Sequence, residues 1–188
     1  MARVVSREAY FETGLDVLAG SGYGGLKLAE VCNRLGVTTG SFYHYFTGWP
    51  DYTRELLAHW REVRTTFVVD SVRDVPDPRR RIDALIQAGL ALPHGAEAAI
   101  RVWSSLDHEV YEVQAAVDQQ RFDVMYSCGL EVLGHPRQAH MFAAWAMYLL
   151  VGFEQATLPR DTAVLEWVVG QLTDALDSGR FASVPDGD

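Results

Sequence analysis

The chain has 188 residues, of which 48% are hydrophobic and 22% charged, and a net charge of −9. This length holds one large domain, or a small one followed by a larger one, with apolar surface enough for a sizeable core. The negative balance excludes a protein coated with nucleic acid and leaves room only for a small, local contact patch.

Helical signals run along the whole chain, and no strict alternation or Asn-Gly or Asp-Gly turn between apolar runs points to a hairpin. Ser6 is placed to cap a first helix, with Glu8 in its first turn favoured by the helix dipole. Phe11, Leu15 and Leu18 mark one face, and GSGYGG, Gly20 to Gly25, ends the helix. A short second helix is expected from about Lys27 to Leu35, with Val31 and Leu35 facing inward and Gly36 breaking it. A third begins near Thr38. Pro50 and Asp51 suit the first turn of a fourth, which continues to about Arg73. Asp77 and Pro78 start a fifth, to about Leu92. Apolar periodicity then predicts helices over Ala96–Leu106, Val110–Leu133, Arg137–Thr157 and Asp161–Ser178, nine in all. The uncharged run from Met141 to Phe153 falls short of the roughly 20 residues needed to span a membrane. Charges throughout the N-terminus argue against a secretory leader. Cys32 and Cys128 have no pairing or metal spacing and read as small apolar residues in a reducing, cytoplasmic setting.

The stretch GVTTGSFYHYF, Gly36 to Phe46, carries the most chemistry. A short helix, a glycine turn and a second short helix make a helix-turn-helix, whose second helix fits the DNA major groove. Thr39, Gly40 and Ser41 are small and lie at the helix start, so the backbone there can approach DNA closely. Ser41 and Tyr43 offer hydroxyls to phosphate oxygens, while Thr39, Tyr43 and His44 can reach base edges. Phe42 and Phe46, four apart, turn back into the core, with Tyr45 at its margin.

The longer stretch GYGGLKLAEVCNRLGVTTGSFYHYFTGWPDYTRELL resembles the TetR/AcrR family of transcriptional regulators. Gly22-Tyr23 matches the Gly-Tyr that ends the family's first helix, and Leu35-Gly36-Val37 matches its turn. Thr38 to Phe46 match its Thr/Ser-x-Gly-Ser/Thr-Leu/Phe-Tyr-x-x-Phe helix. The match covers about the first 57 residues, and beyond it only the helical layout and the length agree. The resemblance implies an all-α fold, with a three-helix DNA-binding domain over residues 1–48 and a ligand-binding and dimerisation domain over 49–188. It implies a sequence-specific regulator, a homodimeric repressor released from a double-stranded DNA operator by a small-molecule effector, with no cofactor. The residues assigned to DNA are Lys27, Thr38, Thr39, Gly40, Ser41, Tyr43, His44 and Trp49. Two of these depart from the family pattern. Lys27 stands where a capping Thr or Ser is usual and cannot accept the capping bond. Trp49 stands where a phosphate-contacting lysine is common. Within residues 1–47, Arg3, Arg7, Lys27 and Arg34 are balanced by Glu8, Glu12, Asp16 and Glu30, so hydrogen bonds and dimerisation must supply much of the affinity.

The last two helices are apolar on more than one stripe, which points independently to a dimer; a well-buried monomeric core is the other reading. Met141, Trp145, Leu149, Leu165, Val168, Val169, Leu172 and Leu176 are the interface candidates. Trp103, His108, Tyr111, Phe122, Met125, Tyr126, Trp145 and Tyr148 are candidates for a pocket that takes a mostly apolar effector. His108 and Glu109 are adjacent and do not converge as metal ligands, and His94, His135 and His140 are expected in loops or at the surface. No G-x-S-x-G, Walker or H-E-x-x-H sequence supports an enzyme. The alternative is a TetR-like helical protein that acts through a protein partner, which Trp49 and the neutral first domain leave open.

Overall fold

The computed structural model describes residues 5–185, and every regular element among them is helical. The residues up to Arg64 together with Pro93–Ala115 form one compact unit, and Thr65–Leu92 with the residues from Ala116 onward form a second. No described helix is long and apolar enough to cross a membrane.

In the first unit, α1 (Arg7–Gly25) packs on α2 (Leu28–Leu35), on α4 (Trp49–Arg61) and most extensively on α7 (His94–Ser104). Ser6 caps α1 as expected, its hydroxyl accepting from the Ala9 amide at 3.2 Å. The break expected in the Gly20–Gly25 run falls at Gly22, which departs from helical geometry (φ 66°, ψ −176°) before a last turn that reaches Gly25. Of that run only Gly22 has a positive φ, a conformation that side chains disfavour, so the helix breaks there. Gly36 closes α2 in the left-handed region at φ 68°, and the Val37 amide returns to the Cys32 carbonyl at 3.0 Å.

The recognition helix α3 is shorter than the motif, covering Thr39–Phe42. Thr38 caps it through a bond to the Ser41 amide. Beyond Phe42 the amides of His44 and Tyr45 bond three residues back, so the chain tightens into turns. Aromatic side chains crowd the preceding turn of an α-helix, and four of the five residues from Phe42 to Phe46 are Phe or Tyr.

The expected fourth helix is unbroken in its helical character but changes winding. After α4 comes a π-helical segment, Glu62–Thr66, and then α5 (Phe67–Val72). Thr65 in that segment is buried, and its hydroxyl accepts from Arg121 Nε at 3.0 Å.

The second unit contains α5, α6 (Pro78–Leu90), α9 (Pro136–Gln155), α10 (Thr162–Asp177) and most of α8 (His108–Leu133). Asp77 and Asp161 cap α6 and α10 through their carboxylates, each over the first free amides of its helix. Ile82, Cys128, Phe142, Ala143, Leu172, Ala175, Leu176 and Phe181 form this unit's core.

Burial bears on several expectations. Leu165, Leu172 and Leu176, placed by the sequence in a dimer interface, are buried within a single chain, Leu172 to 1% exposure. Side chains this buried have little area to contribute to a partner. Met125, a pocket candidate, is likewise part of the core. His94 is buried at the start of α7, against the expectation of a loop or surface residue, because the α1–α7 packing covers it.

Candidate nucleic-acid interface

The site is built on an aromatic floor. Phe42 and Phe46 are almost completely buried, with ring centroids 4.9 Å apart. Tyr10 from α1 and Tyr52 from α4 pack edge-on against both, all four rings lying within 6 Å of one another in these pairs. Such edge-to-face contacts add to the area that each ring buries. Arg7 lies over the Phe46 ring at 4.8 Å and pairs with Glu55, tying α1 to α4. His59 of α4 and Arg64 of the following π-helical segment both reach Glu12 on α1. The recognition segment therefore rests on a rigid support.

Above that floor the same segment presents polar groups. Thr38, Thr39, Gly40 and His44 are exposed, and Tyr43 is 59% exposed, its ring edge-on to Phe42. Ser41 is half-buried between the two faces. Lys27 is exposed at the N-cap of α2 and makes no capping bond, so that helix starts uncapped, as its identity requires. Among the described residues of this segment, Arg7 and Arg34 are engaged by Glu55 and Glu30, which leaves Lys27 as the cation without a carboxylate partner. Trp49 is half-buried, its ring 5.0 Å from Tyr52 and 6.2 Å from Phe42. It extends the aromatic floor. Burial holds the Tyr10, Tyr52 and Cys32 protons on, each group being pushed above its ordinary pKa by desolvation.

The family described as "Bacterial regulatory proteins, tetR family" matches residues 11–48, which are the α1–α3 segment just described. Residues 11–48 are thus similar to the helix-turn-helix segment of that family. No curated protein matches the chain in sequence. The TetR-like fold extends over nearly the whole chain. A TetR transcription regulator from Haloarcula marismortui ATCC 43049 is similar at a TM-score of 0.71 and 18% identity, covering 92% of this chain and 96% of its own. A putative transcriptional regulator from Saccharomonospora viridis, in complex with choline, is similar at 0.71 and 14% identity, covering 91% and 95%. The regulator FadR from Bacillus subtilis, in complex with stearoyl-CoA, is similar at 0.57 and 14% identity, covering 96% and 100%. Likeness at these identities establishes the fold.

Outside the TetR-like motif, the pocket candidates are divided between the two units. Trp103, His108 and Tyr111 belong to the first unit, and Phe122, Met125, Tyr126, Trp145 and Tyr148 to the second. Trp103 is buried and stacks on Tyr23 at 4.8 Å. His108, Tyr111 and Tyr148 correct the sequence reading, because they stand on outward helix faces and are exposed. Within the second unit, Phe122 and Tyr126 stack and border an open depression of about 500 Å3, completed by Asp123, Pro136, Arg137 and His140. Of the interface candidates, Met141 is exposed, and Trp145, Leu149, Val168 and Val169 are half-buried. The most exposed apolar groups on α9 and α10 are Tyr148 (75%), Trp167 (66%) and Val164 (56%). Among the described residues no three His, Cys, Asp or Glu side chains gather as a metal site.

Sequence reasoning missed Tyr10. Its signal was a second stripe, Tyr10, Gly14 and Val17, beside the Phe11, Leu15 and Leu18 face, which makes α1 apolar over a wider arc than one neighbour needs.

Proposed function

We propose that this chain is a sequence-specific DNA-binding transcriptional regulator, a homodimeric repressor whose release from its operator is triggered by a small, mostly apolar effector. Residues 1–48 carry the DNA contact in this reading, and residues 49–188 carry effector binding and dimerisation. The observation that carries it is the two-faced recognition segment. Phe42 and Phe46 anchor it from below, while Thr38, Thr39, Gly40, Tyr43 and His44 stand exposed above. A rigid polar edge of this width suits the major groove. The apolar groups left exposed on α9 and α10 support a dimer, and two recognition segments per molecule would engage two half-sites. The choline and stearoyl-CoA complexes of the similar structures support an effector role for the second domain.

The test is selection of a duplex from a random-sequence DNA pool, followed by titration of that duplex across a range of salt concentrations. A repeated, enriched sequence is expected, and a pool that yields none sinks the reading. Lys27→Ala should lower affinity for all sequences alike. It should flatten the slope of log affinity against log salt by about 0.9 per phosphate contact, roughly two for a dimer.

A further inference from the structure

A line of hydrogen bonds crosses the aromatic floor and ends at the exposed edge. Tyr52, on α4, is fully buried and donates its hydroxyl to the Tyr10 carbonyl at 2.8 Å. Tyr10, on α1, is fully buried too, and its hydroxyl reaches Ser41 Oγ at 3.3 Å. Rings of Phe42, Tyr45 and Phe46 stand 5.4–5.9 Å from the Tyr10 ring and keep water from it. Among the described residues, Ser41 is the only hydrogen-bond partner of that hydroxyl. A phenol this deeply buried needs a partner for its proton, and Ser41 Oγ accepts it.

The direction of that bond matters for the other side of Ser41. A hydroxyl has one proton and two lone pairs. With an inner lone pair filled by Tyr10, the Ser41 proton is left to point outward, toward the edge that carries Thr39, Gly40, Tyr43 and His44. Phosphate oxygens only accept hydrogen bonds, so an outward proton is the orientation they require. Were Ser41 to donate inward, it would offer a phosphate nothing but lone pairs.

We infer that Tyr10 is a positioning residue for the DNA contact, holding Ser41 as an outward donor to a backbone phosphate oxygen. Tyr52 fixes the Tyr10 main chain, so α4, α1 and α3 are joined by one line of bonds. The inference rests on the DNA-binding reading above.

The experiment is a double-mutant cycle on the duplex selected by the unaltered protein. Tyr10→Phe keeps the packed ring and removes only the donor. It should weaken binding roughly threefold to tenfold per protomer. Ser41→Ala should weaken it at least as much, and the double variant no more than Ser41→Ala alone. Because a neutral hydroxyl releases no counterion, the salt slope should stay unchanged in all three. A merely structural Tyr10 would act with or without Ser41, so losses that multiply in the double variant overturn the inference. So does parental affinity in Tyr10→Phe. If Tyr10→Phe fails to fold, Ser41→Ala decides, since parental affinity in that variant also overturns it. Failure of the unaltered protein to select any duplex removes the DNA-binding reading itself, an outcome distinct from each of these.

Discussion

The recognition segment of the first unit and the α9–α10 helices of the second place their large apolar side chains differently. Around that segment Tyr10, Phe42, Phe46, Tyr52 and Trp60 are all inside, and the exposed positions are Thr38, Thr39, Gly40, Tyr43 and His44. In the second, a closed core around Phe142 and Leu172 coexists with an outer apolar surface bearing Tyr148, Val164 and Trp167. A segment that rests on buried aromatics can present polar groups at fixed positions, which recognition of a polar groove demands. One that leaves aromatics outside has surface that association would cover.

The strongest way to break this contrast is inside the second unit. Leu172→Asp should cost about 5 kcal/mol or more, from lost packing and an unpaired buried charge. The expected result is loss of the cooperative thermal transition, not a folded monomer. A folded Leu172→Asp protein would mean that the helix rotates this residue outward in solution. Trp167→Asp changes the outer surface of the same helix. It should leave the protomer's circular dichroism intact and weaken self-association by about 2–4 kcal/mol, read by sedimentation against concentration. Equal association constants for parent and variant would place the interface elsewhere.

In the first unit, Tyr43→Phe should reduce DNA affinity by about 1.5–3 kcal/mol, the range for a hydrogen bond to a charged group. Its melting temperature should not move, since the ring stays and the hydroxyl stands in an exposed residue. A lower melting point with parental affinity would reassign Tyr43 to the support.

The smallest effect is expected at the surface pair that joins α6 to α10. Arg79 donates from Nε and a terminal nitrogen to the two carboxylate oxygens of Asp177, at 2.7 and 2.8 Å. The bond to Arg79 holds the Asp177 carboxyl below its ordinary pKa. A depressed carboxyl pKa stabilises the fold above the unfolded value of about 3.9, and this contribution is lost as pH falls through the folded value. Asp177→Asn should therefore cost roughly 0.2–1 kcal/mol at neutral pH, with the difference from the parent vanishing in acid. Urea titrations at both pH values measure it, and a difference that grows in acid would contradict the pairing.

Much of the first unit was legible because its signals are local. The cap at Ser6 needs only a side chain and the amide three residues on, and the cap at Asp77 in the second unit is local in the same way. Gly36 announced its turn because a left-handed residue is needed there. The division of Phe42 and Phe46 from Tyr43 and His44 follows from helical spacing alone. Trp49 was harder, since its ring packs on Tyr52 in the same helix and on Phe42, a contact that no pattern around Pro50 encodes. Lysine at that position would remove this packing, so any gain in phosphate attraction comes with a less stable support.

By itself the sequence determined nine helical stretches, most of their boundaries and the two-sided character of the recognition segment. These depend on backbone chemistry and short-range periodicity, which operate before the chain is compact. Only the tertiary structure decided which stripe of α10 faces inward. Val164, Leu165, Trp167, Val168, Val169, Leu172, Ala175 and Leu176 are apolar on several sides of one helix, so periodicity offers more than one inward face. The choice fell to Leu165, Leu172, Ala175 and Leu176, with Phe142 and Phe181 packed in the same core as the last three. The Tyr52–Tyr10–Ser41 line was equally out of reach. Its three members lie 31 and 42 positions apart along the chain, and only packing α1 between α3 and α4 brings their oxygens within bonding distance.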